Sequence, residues 1–198
     1  MKSRNFHTPD DATPIHDCSG LIPQWVYTIH DLNRVEAENI LKAYRKYFKG
    51  TFSPFQPKHL KTIHRDMFGD VWEWAGTLRK SITSIGIKPN LIPLRLAEFC
   101  REVNEWFEIQ HDLTYVEMAA RIHHRLVWIH PFENGNGRFS RFIADRFLLS
   151  FNCPHPIWPD LNQEDINRRD YIHTLQSADK GDYTPLENLM RHLGASDP

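Results

Sequence analysis

The sequence predicts an all-α domain with one short β element, on three observations. Apolar residues recur at three- and four-residue spacing through most of the chain, the pattern of helices with one buried face. Capping residues, prolines and glycines fall where such helices would start and stop. A single segment, residues 77–93, breaks the helical spacing with β-like alternation and turn residues. A length of 198 residues fits one domain, 1–198, and 40% hydrophobic against 25% charged residues is a globular balance.

The elements follow in order. Residues 1–30 carry Pro9, Pro14 and Pro23 with little periodicity and read as an extended N-terminal arm. Asp31 is placed to cap a helix over residues 32–49, with Leu32, Val35, Ile40, Leu41 and Tyr44 on one side and Gly50 as its stop. A core over about 57–190 then opens with Pro57 and a helix carrying Leu60, Ile63, Met67, Val71 and Trp74 to near Gly76. Residues 77–93 read as a β-hairpin flap. Helical spacing returns over 94–110. Thr114 and Glu117 form a capping box for a helix running through Ile129. Helices are also expected over 138–150, 164–178 and 185–193, with a proline-bearing loop over 151–162.

Several functions are excluded at this level. The longest apolar runs are about four residues, such as 126–129, too short for a membrane helix. Residues 1–17 lack the apolar core of a signal peptide, so a cytoplasmic protein is expected. Cys18, Cys100 and Cys153 are an odd, widely spaced set and fit free thiols. A net charge of −1 argues against indiscriminate nucleic-acid binding.

One segment concentrates chemistry: His130-Pro131-Phe132-Glu133-Asn134-Gly135-Asn136-Gly137-Arg138-Phe139-Ser140-Arg141. A Gly-Asn-Gly loop leading into a helix N-terminus presents unpaired N–H donors and the positive end of the helix dipole to an anion. Arg138 and Arg141, three residues apart, reach the same side of that helix and suit a polyphosphate. His130 ends the preceding helix, where a general base would stand. Each feature alone has an ordinary structural explanation. Their coincidence within twelve residues points to nucleotide-dependent transfer to a hydroxyl.

The segment resembles the signature of Fic-domain proteins, H-P-F-x-[D/E]-G-N-G-R-x-x-R. Met67-Phe68-Gly69-Asp70-Val71-Trp72-Glu73-Trp74-Ala75-Gly76-Thr77-Leu78-Arg79 resembles the helix and turn before the family's flap, and Ala178-Asp179-Lys180-Gly181-Asp182-Tyr183-Thr184-Pro185-Leu186 its closing stretch. Gly20-Leu21-Ile22-Pro23 and Asn39-Ile40-Leu41 are similar to the small Fic proteins called mobile mystery protein B, a mobile-element, toxin-like group.

The resemblance implies a protein adenylyltransferase that uses ATP and Mg²⁺ to place AMP on a Tyr, Thr or Ser hydroxyl of a target protein. His130 would be the base. Gly135, Asn136 and Gly137 would cradle the phosphates, with Arg138 and Arg141 on them and Phe132 packing the loop. Thr83, Ser84, Ile85, Gly86, Ile87 and Lys88 would form the flap that aligns the target by strand addition. Tyr171 would stack on adenine. Asn134 departs from the signature, standing where Asp or Glu holds Mg²⁺; an amide oxygen ligates that ion without adding charge. A non-catalytic nucleotide- or partner-binding module, or transfer of another phosphate-containing group, is therefore the alternative. Partners would be the target protein, an antitoxin-like regulator or a second copy, with no nucleic acid or membrane.

The family's inhibitory motif, [S/T]-x-x-x-E-[G/N], ends in a glutamate that pairs with the second arginine. Glu38-Asn39 matches its ending and makes Glu38 the candidate restraint on Arg141, although Arg34 stands where Ser or Thr belongs. A solvated helix face is the plain alternative. Histidines other than His130, and Trp25, Trp72, Trp74, Trp106 and Trp128, read as structural.

Overall fold

A computed structural model describes residues 19–48, 55–108, 112–159 and 166–198. The described residues form seven α-helices: α1 (Ile29–Tyr47), α2 (Pro57–Phe68), α3 (Ile92–Glu108), α4 (Tyr115–Ile129), α5 (Asn136–Ser150), α6 (Ile166–Ala178) and α7 (Thr184–His192). The all-α class holds. Cys18 and Gly50 lie outside the described residues.

α1 begins earlier than its apolar spacing suggests. Thr28, not Asp31, is the N-cap; its hydroxyl accepts from Asp31 N–H while the Asp31 carboxylate returns to the Thr28 backbone. A Thr-x-x-Asp bracket does this as well as Thr-x-x-Glu. The capping box predicted at Thr114 and Glu117 is present.

α2 stops at Phe68 rather than near Gly76, because residues 69–76 turn back toward the helix end and meet the arm. Ile22 N–H donates to Val71 C=O (2.9 Å) and Glu73 N–H to Gly20 C=O (2.8 Å), around an antiparallel bridge between Leu21 and Trp72. The arm is thus extended over these residues. Trp25, expected in the core, is half exposed, with Arg34 over its ring.

Residues 77–88 form no hairpin; the described residues contain no strand ladder there. The segment is a loop gathered around Arg79, followed by a 3₁₀ turn at Pro89–Leu91. Backbone groups satisfied by one guanidinium need no cross-strand partner.

α4 and α5 pack on each other at the centre, α1 lies against α2 and α6 against α7. Phe68, Phe99, Phe132, Phe139, Phe142 and Phe147 fill the interior between them. The loop joining α4 to α5 carries the motif and is seated on α2 through Phe68 and His64.

Candidate active site

His130 is the C-cap of α4, in the left-handed region with φ 50°. A non-glycine residue there is strained, and such strain collects at functional sites. Its Nδ1 lies 3.3 Å from Val127 C=O. Donation to that carbonyl puts the proton on Nδ1 and leaves the lone pair on Nε2. Burial pushes its pKa down to about 4, so it is neutral near pH 7.

α5 begins two residues before the expected Arg138, because Gly135 (φ 76°) turns the chain as N-cap. The first helical bond runs from Phe139 N–H to Gly135 C=O (2.9 Å), so the N–H groups of Asn136, Gly137 and Arg138 precede the intrahelical ladder. The Asn136 side chain is not offered to a ligand. It brackets Phe132, accepting from its N–H (2.9 Å) and donating to its C=O (2.8 Å). A Cβ on Gly135 would meet the Phe68 ring at 2.6 Å, so only glycine lets the loop lie this close to α2.

Two residues that sequence reading passed over organise the flap. Arg79 is buried and gives Nε to His130 C=O (2.5 Å), Nη1 to Ser81 C=O (2.8 Å) and Nη2 to Ile87 C=O (2.5 Å). It ties both ends of the segment to His130. Glu133 accepts from Ser81 Oγ (2.6 Å) and Lys80 N–H (3.3 Å). Gly86 (φ 105°) lies so close to His130 that a Cβ there would collide with the His130 Cβ. Thr83 holds Ile85 C=O (2.6 Å), and Ile82 and Ile85 remain exposed.

Glu38 is not the residue that reaches the motif. It is exposed, whereas Glu36 is buried and takes Arg138 Nη1 at 2.6 Å and Trp72 Nε1 at 2.8 Å. Residues two apart lie on different faces of a helix, so only one of the pair can point inward. The arginine engaged is Arg138, not Arg141. A carboxylate here offsets positive charge that the site would present to phosphate. Were a nucleotide's phosphates to bind here, Glu36→Gln, which keeps an acceptor for Trp72, should tighten that binding by up to about tenfold in calorimetric titration.

Comparison with known proteins points to one family. Residues 54–148 match the Fic/DOC family. A Fic/DOC family domain is recognised over this segment. A protein adenylyltransferase Fic from Drosophila sechellia is 33% identical over 134 residues, 65% of this chain and 26% of that protein. The chain thus spans about a quarter of the length of the curated relatives it matches. The N-terminal FIC domain of Bep8 from Bartonella sp. 1-1C superposes with a TM-score of 0.71 at 18% identity, covering 97% of each chain. BepC from Bartonella tribocorum, solved with bound AMPPNP, gives 0.65 at 18% identity, over 85% of this chain and 88% of that one.

The second motif arginine, Arg141, sits between two rings, 5.8 Å from the centroid of Trp158 and 5.9 Å from that of Tyr171. The polar end of each ring is pinned: Trp158 Nε1 donates to Asp145 (2.9 Å) and Tyr171 OH pairs with His123 Nε2 (3.0 Å). Tyr171 is buried in this cluster, which suits a wall for Arg141 and not the adenine stacking expected of it. Asp145 also accepts from Tyr44 OH (3.2 Å), and burial pushes its pKa up to about 6. Cluster pairs of this kind hold a guanidinium without consuming its N–H donors.

The residues at position 134 and beside it do not fit a protein-held Mg²⁺. Asn134 Oδ1 accepts from Gly135 N–H at 2.6 Å, and the nearby carboxylate of Glu133 is committed to the flap. Among the described residues no group of three His, Cys, Asp or Glu side chains is placed to hold a metal. No described helix is long and apolar enough to cross a membrane.

Proposed function

We propose that the Fic domain binds ATP with its phosphates over the N-terminus of α5 and transfers AMP to a Tyr, Thr or Ser hydroxyl of a target protein. The observation that carries this reading is one juxtaposition. A neutral histidine with its lone pair on Nε2 stands at one end of a five-residue loop, and a helix N-terminus flanked by two arginines stands at the other. The bound AMPPNP of BepC and the adenylyltransferase names of the sequence relatives support it.

In the reaction His130 Nε2 takes the hydroxyl proton as the oxygen attacks the α-phosphorus. The bond between that phosphorus and the oxygen bridging to the β-phosphate breaks, and pyrophosphate leaves. The free N–H groups at the start of α5, with Arg138 and Arg141, neutralise charge on the phosphates, which is the main protein contribution to such transfers. The flap lies against His130 and orders the target's backbone there. Purified protein incubated with ATP and a mixture of cytosolic proteins should release pyrophosphate. Release of ADP instead would assign phosphoryl transfer.

Asn134 favours a second reading, a nucleotide-binding module with little catalysis. Asn134→Asp separates the two. A carboxylate at this position adds a hard anionic ligand, so ATP binding should gain a Mg²⁺ dependence that the unchanged protein shows weakly, and the rate at limiting Mg²⁺ should rise. An unchanged Mg²⁺ titration would mean that position 134 lies outside the phosphate site.

A further inference from the structure

We infer that His64, on α2 and outside the motif, is the positioning residue of the phosphate cradle. The inference rests on the nucleotide reading above only for what the cradle binds. His64 is fully buried, and both ring nitrogens are used. Gly76 N–H donates to Nδ1 at 3.0 Å, so Nδ1 carries no proton. The proton is therefore on Nε2, which donates to Asn134 C=O at 3.1 Å. The same ring stacks on Phe132, with centroids 3.6 Å apart and planes 21° from parallel.

That single hydrogen bond decides where the cradle points. The described residues contain no cis peptide, and a trans peptide directs its C=O and N–H to opposite sides. With Asn134 C=O drawn down onto His64, Gly135 N–H must face the other way, out of the loop. There it meets the Asn134 side chain, whose Oδ1 accepts it at 2.6 Å. An incoming phosphate oxygen would take the place of this amide oxygen. Phe68, one helical turn further along α2, closes the underside of Gly135 and leaves the loop no room to roll. His64 thus converts a flexible Gly-Asn-Gly turn into a preorganised donor, which a transfer site needs because reorganising a loop during binding costs affinity.

The test compares two variants in the full chain. His64→Phe keeps a ring against Phe132 but removes both hydrogen bonds, and His64→Gln restores a donor at the Nε2 position. Two readouts are taken: amide hydrogen exchange over residues 132–139 without nucleotide, and the Kd for a non-hydrolysable ATP analogue. His64→Phe should speed loop exchange about tenfold while exchange in α4 changes little, and weaken binding about tenfold. His64→Gln should recover most of both. If His64→Phe fails to fold, His64→Gln against the isosteric His64→Met makes the same comparison. Loop exchange as in the unchanged protein, or a Gln variant no closer to it than Phe or Met, overturns the role. An unchanged protein that binds no analogue would instead overturn the nucleotide reading, and the exchange data would still decide the role of His64.

Discussion

His130→Ala should remove transfer while leaving nucleotide binding nearly intact. The proposed phosphate donors, Arg138, Arg141 and the N–H groups opening α5, are untouched by the change, and the left-handed φ of 50° at His130 is set by the loop. What is lost is the lone pair on Nε2. General-base catalysis is worth about 10²–10⁴-fold, so initial rates should fall by at least about a hundredfold with Kd for an ATP analogue within about threefold. Rates and Kd measured on the same preparation check this. A variant keeping more than about a tenth of the rate would remove His130 from the chemistry.

The protein should lose stability steeply as pH falls below 6.5. Burial pushes the pKa of His64 and His123 down to about 3 and that of His130 to about 4. In the unfolded chain all three titrate near 6.5. The stability from keeping them neutral is fully present above 6.5 and is lost as pH falls toward the folded values. Asp145 runs the other way: its folded pKa near 6 means unfolding releases its proton between about 4 and 6. Three protons taken up against one released leaves about two net near pH 5. At about 1.4 kcal/mol per proton per pH unit, stability should drop by about 3 kcal/mol per unit there. Urea midpoints at pH 7, 6 and 5 measure this. A flat series would mean that these histidines are protonated in the folded protein.

Most of the helices and the centre of the site were legible in the chain. The capping box at Thr114 and the apolar spacing of α4 fix where His130 falls, and glycine at 135 marks the turn into α5. What was hidden depends on contacts distant in sequence. Glu36 and Glu38 look alike in the sequence, and only the rotation of α1 against α2 and the motif chooses Glu36. Arg79 replaces a hairpin ladder with side-chain donors, so alternation over 77–88 pointed to a strand pair that the fold does not need. Trp158 sits in a proline-bearing loop with no periodicity to mark it, yet it closes on Arg141. His64 had a weak signal: with Leu60 and Phe68 it lies on the i, i+4 row of α2 that is buried, where a histidine must find partners for both nitrogens.

The proposed chemistry of this site is transfer of the α-phosphorus of ATP onto protein. Parallel incubations with ATP labelled at the α- or the γ-phosphate, separated on a denaturing gel, test it most directly. Label from the α position should appear on protein, absent in His130→Ala, with none from the γ position. Label from the γ position alone, or no label on any protein while ATP still binds, would contradict adenylyl transfer.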